Sequence, residues 1–72
     1  MKKIKLHIEG MMCNNCKQHV EEALRGAATN AEITVDLEAG QAVVAGEELP
    51  AADVLKLAVE EAGYDVTGID VE

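Results

Sequence analysis

Two cysteines carry the reactive chemistry of this chain. Cys13 and Cys16 stand three positions apart in the stretch GMMCNNCKQHVEEAL, residues 10 to 24, and the 72 residues contain no other cysteine. As thiolates, a C-x-x-C pair holds a soft metal ion. As a dithiol, it exchanges with disulfides. The spacing alone admits both. Structural zinc asks for four ligands in a tetrahedron. Besides the cysteines the chain offers only His7 and His19, and bringing all four into one shell is geometrically hard. Cu(I) is soft and favours thiolates. It also tolerates two sulfurs on opposite sides, which leaves room for a third from a partner.

The elements that would position the pair follow from periodicity. Residues 3 to 9, KIKLHIE, alternate, with Ile4, Leu6 and Ile8 on one face and Lys3, Lys5, His7 and Glu9 on the other. That is a half-buried strand, which Gly10 breaks. From Asn14 or Asn15 to Arg25 the period changes to that of a helix. Cys16, Val20, Ala23 and Leu24 form its stripe, an Asn serves as cap, and Gly26 is placed to stop it. Cys16 therefore falls in the first helical turn, and Cys13 in the loop before it. The unpaired N–H groups and partial positive charge of a helix start favour thiolates, and Lys17 adds to this.

Residues 32 to 37, EITVDL, alternate again, EAGQ turns the chain and AVVA returns as a hairpin partner. A second helix follows, with Pro50 or Ala51 in its first turn and a stripe of Leu55, Ala58, Val59 and Ala62, helped by Val54 and Ala51. Gly63 ends it, and residues 64 to 71 form a last strand with an irregularity at Gly68. The order β-α-β-β-α-β predicts an α+β, ferredoxin-like fold: a four-stranded antiparallel sheet with both helices on one face. One domain spans residues 1–72.

Composition narrows the partners. The net charge is −8. Residues 1 to 25 set Lys2, Lys3, Lys5, Lys17 and Arg25 against Glu9, Glu21 and Glu22, whereas the rest sets Lys56 alone against eleven acids. Nucleic acid is thereby an unsuitable partner. No apolar run approaches the roughly 20 residues of a membrane span, so no membrane insertion is expected. The start MKKIKLHIEG lacks the apolar stretch of a signal peptide. These features point to the cytoplasm, where thiols stay reduced and a structural disulfide is out of place. With no Trp, no Phe and one Tyr, the core must come from aliphatic residues and Met.

The string GMMCNNCKQHVEEAL, taken with VEEAGYDV near the end, resembles the heavy-metal-associated domain. The likeness covers essentially the whole chain and is carried by Gly10, Met11, Cys13, Cys16, Val20, Ala23 and Leu24, then Ala58, Glu61, Ala62, Gly63 and Tyr64. That family includes small bacterial copper chaperones and the N-terminal domains of copper-transporting P-type ATPases. The resemblance implies Cys13 and Cys16 as metal ligands, Met11 packed beneath the loop, and Tyr64 approaching from a neighbouring loop. A Tyr at that place points to bacteria. Met12, where zinc- and cadmium-selective relatives often carry an acid, favours a soft monovalent ion and is a candidate third ligand or partner contact.

The implied function is Cu(I) carriage without catalysis, delivering to a copper-transporting P-type ATPase or its metal-binding domain. A metal-bridged homodimer is open to two such sites. The competing readings are an excised transporter domain, a Zn(II), Cd(II) or Hg(II) carrier, and a thiol–disulfide oxidoreductase. The last lacks the thioredoxin-like pattern and a proline-bearing loop facing the cysteines. The chain departs from the family at Met12, in the segment GAATNAEITV after the first helix, and in its strong negative charge.

Overall fold

The computed structural model describes residues 2–10 and 14–72, with Asn14 described in its backbone only. Its elements are β1 (Lys2–Glu9), α1 (Asn14–Ala27), β2 (Glu32–Asp36), β3 (Gln41–Gly46), α2 (Ala52–Glu61) and β4 (Asp65–Val71). The strands form one antiparallel sheet in the order β2-β3-β1-β4. This is the ferredoxin-like arrangement that the alternation predicts.

One face of the sheet makes the core. Ile4, Leu6 and Ile8 of β1 share a single buried cluster with Val20 and Leu24 of α1, Leu55 and Val59 of α2, and Val35, Ala42 and Val44 of the hairpin. Both helices therefore lie over the same face. Leu6, Leu24, Leu55, Val20, Val44 and Val59 are fully buried, and they fix α1 and α2 against β1. No aromatic ring is among them. Among the described residues no helix is long and apolar enough to cross a membrane.

Several boundaries differ from the sequence-based expectation. Helix α1 does not stop at Gly26 but runs to Ala27, and the N–H of Ala28 still donates to the Leu24 carbonyl at 2.8 Å. Gly26 does not take the positive φ that a glycine stop requires. Burial of Ala28, which is 5% exposed, holds the extra turn in place. Helix α2 begins one residue later than expected. Ala51 is its N-cap in an extended conformation (φ −59°, ψ 148°), which leaves Pro50 outside the first turn. The stripe of α2 is also narrower. Leu55 and Val59 are buried, whereas Val54 is 46% exposed and Ala51 lies at the surface. Val54 precedes Leu55 by one residue and so points about 100° away from it.

Strand β2 ends at Asp36, and Leu37 belongs to the turn. There the Asp36 carboxylate accepts from the N–H of Ala39 at 3.2 Å. The Gly40 carbonyl accepts from the N–H of Ile8 at 2.7 Å, tying the hairpin to the end of β1. The irregularity of β4 falls at Thr67, next to Gly68. His7 pairs with Gly68 and Ile8 with Val66, so Thr67 is the extra residue, and its hydroxyl donates to the His7 carbonyl at 3.3 Å.

Candidate metal centre

The site is built where β1 gives way to α1. Gly10 leaves the strand with a φ of +96°, a conformation that suits glycine. The chain enters α1 at Asn14, and Cys16 is the third helical residue. Cys16, Val20 and Leu24 follow at i, i+4 and i+8, so the stripe that anchors the helix also aims the cysteine. Val20 and Leu24 are fully buried, whereas Cys16 is half-buried and packs against the edge of the core. The thiol thus stands where the core opens toward solvent. The first turn of α1 carries no acidic residue, and Lys17 follows the cysteine. The partial positive charge of a helix start is thus not offset by a carboxylate within that turn. Cys13, Met11 and Met12 lie outside the described residues.

Tyr64 arrives from the other side. Gly63, with φ +101°, turns the chain out of α2. The N–H of Tyr64 donates to the Val59 carbonyl at 3.3 Å. The half-buried ring lies against Gly10, where an added Cβ would sit 3.6 Å from Cδ1 of Tyr64. Tyr64 therefore reaches Gly10 at the end of β1. Its phenol also lies 3.5 Å from Nδ1 of His19. That pairing is not anticipated from the sequence, where His19 figures only as one of the two histidines of the chain. Only its position one turn beyond Cys16 hints at it.

His7 is placed as expected, on the sheet face opposite the helices, where its Nε2 is 2.9 Å from the Asp70 carboxylate. It is thus remote from α1 and Cys16. Among the described residues no three His, Cys, Asp or Glu side chains gather to hold a metal ion. A groove of about 540 Å³ is lined by residues such as Ala28, Glu32, Gly46 and Glu47. It lies at the far end of α1 from Cys16, and we assign it no part in the site.

Comparison with known proteins decides the family. The model of the heavy-metal-associated domain matches residues 5–65, from within β1 to the first residue of β4. The chain belongs to the heavy-metal-associated domain family. It is 40% identical over 62 residues to the copper chaperone CopZ of Staphylococcus aureus, covering 85% of this chain and 91% of that protein. Among solved structures it is similar to the CopZ metallochaperone, with a TM-score of 0.77 and 38% identity, covering 93% of this chain and all of that one. A copper-binding domain from HMA7, a P-type ATPase, superposes with a TM-score of 0.80 at 27% identity, covering all of this chain and 95% of that one.

Proposed function

We propose that this protein is a cytoplasmic Cu(I) carrier in which Cys13 and Cys16 hold one ion and pass it to a copper-transporting P-type ATPase. The observation that carries this reading is the placement of Cys16. It sits in the first turn of a helix clamped by Val20 and Leu24, at the margin between core and solvent. Cys13 directly precedes Asn14 in the sequence. Two thiolates so placed satisfy Cu(I) at low coordination.

Transfer is then ligand exchange. A partner thiolate adds to the ion, one of this chain's sulfurs leaves it, and a second exchange completes delivery. Cu(I) stays Cu(I) throughout, and no bond to carbon is made or broken. Carboxylates border the site: Glu9 and Asp65 stand opposite each other in register beside Gly10, and Glu60 and Glu61 close α2. With the net charge of −8, this border suits a partner that presents a basic patch, and electrostatic steering would speed their encounter. The likeness to the HMA7 domain favours a second reading, in which these residues serve as the metal-binding domain of such a transporter, by the same exchange.

The test is Cu(I) stoichiometry in a reducing buffer. The wild type takes up one Cu(I) per monomer, and the Cys13→Ser, Cys16→Ser double variant none. A double variant that still bound Cu(I) tightly would overturn the assignment of the ligands.

A further inference from the structure

One aromatic side chain touches both chain segments from which the cysteines come. The ring of Tyr64 lies against Gly10, where the chain leaves β1 for Cys13. Its hydroxyl reaches 3.5 Å to Nδ1 of His19, one turn beyond Cys16 on α1. The backbone of Tyr64 is itself held, through its bond to the Val59 carbonyl. The Tyr64 side chain therefore links Gly10, at the end of β1, to His19 on α1. His19 is an exposed helix residue. With the ring proton on Nε2, its Nδ1 accepts the phenol O–H.

We propose that His19 is a positioning residue: by accepting the Tyr64 hydroxyl it keeps the phenol seated on Gly10, and this clasp slows the release of copper from the cysteine pair. The copper part rests on the carrier function proposed above, whereas the clasp rests on the contacts alone. Net worth for an exposed hydrogen bond corresponds to about a two- to tenfold effect on a rate. A separation of 3.5 Å sets this one at the low end, about two- to fourfold.

The experiment uses the whole chain and the variants His19→Ala, His19→Asn, Tyr64→Phe and the His19→Ala, Tyr64→Phe double. The Asn side chain returns an acceptor oxygen close to the place of Nδ1. Three readouts are taken at pH 8: the NMR shifts of the Gly10 amide and the residue-64 ring in the reduced, metal-free protein, its melting temperature, and the rate of Cu(I) transfer to a chelator. His19→Ala and Tyr64→Phe each move the Gly10 amide and speed transfer about two- to fourfold. The double variant is no faster than either single one, and His19→Asn restores the wild-type rate. Additive effects in the double variant would overturn the proposal. So would a lowered melting temperature with an unchanged transfer rate, which is the signature of a merely structural role. A wild type that took up no Cu(I) would overturn the carrier function and the release claim together. The metal-free shifts would still decide the clasp.

Discussion

The same substitution at two glycines of this chain should act with opposite sign. Gly10 has φ +96°, and Gly26 lies within α1 without a positive φ. Placing an L side chain in the left-handed region costs about 1–2 kcal/mol. At Gly10 an added Cβ meets Tyr64 Cδ1 only at 3.6 Å, an ordinary contact, so Gly10→Ala should cost the backbone term alone. For a domain of this size each kcal/mol moves the melting temperature by about 4–8 °C, so the expected fall is about 5–15 °C. At Gly26 nothing lies within 4 Å of an added Cβ. A glycine inside a helix is worse than alanine by about 0.5–1 kcal/mol. Gly26→Ala should therefore raise the melting temperature by a few degrees.

Gly63→Ala is the control, with φ +101° and nothing within 4 Å of the new Cβ. It should match Gly10→Ala, because both carry the same backbone cost. The assay is thermal unfolding of the reduced, metal-free chain followed by circular dichroism at 222 nm, where a single cooperative transition is expected. A Gly26→Ala variant less stable than wild type would refute the continuation of α1 to Ala27. A Gly10→Ala variant as stable as wild type would refute the strained exit from β1.

The remaining predictions concern the site's neighbours. His7→Ala removes the 2.9 Å contact to Asp70, whose side chains are 41% and 65% exposed. Solvent screening limits the loss to below about 1 kcal/mol by chemical denaturation. Cu(I) affinity should not change, because His7 lies on the far face of the sheet, and a large loss of affinity would place it in the coordination shell. Met12→Ala should also leave Cu(I) affinity unchanged in a chelator competition. A tenfold or greater loss would make Met12 a third ligand.

Local pattern carried most of the fold. The alternation of Ile4, Leu6 and Ile8, and the helical spacing of Cys16, Val20 and Leu24, each match a buried face. They do so because a half-buried strand and a half-buried helix leave different periods in the sequence. Boundaries were harder to read where a distant contact decides them. Gly26 reads as a stop, but Ala28 has a place in the core that draws the helix onward. Val54 reads as core, yet Leu55 and Val59 already fill the space beneath α2.

Cys16 could be placed at a helix start from spacing alone. The family resemblance implied only that Tyr64 approaches the site from a neighbouring loop, and its contact with Gly10 was not legible. The pairing of Tyr64 with His19 joins residues 45 positions apart, and no periodicity encodes it. The bulge at Thr67 is hidden for a similar reason. A flanking glycine signals an irregularity, but the register between β1 and β4 chooses the residue.

The central claim is that Cys13 and Cys16, proposed here as the ligands, prefer a soft monovalent ion and keep it exchangeable. Competition between Cu(I) and Zn(II) for the reduced wild-type chain, with a Cu(I) chelator of known affinity as referee, tests it most directly. The account predicts that Cu(I) displaces Zn(II) from the site one to one and then passes completely to the chelator. Retention of Zn(II) against equimolar Cu(I) would contradict it, and so would Cu(I) that the chelator cannot reach.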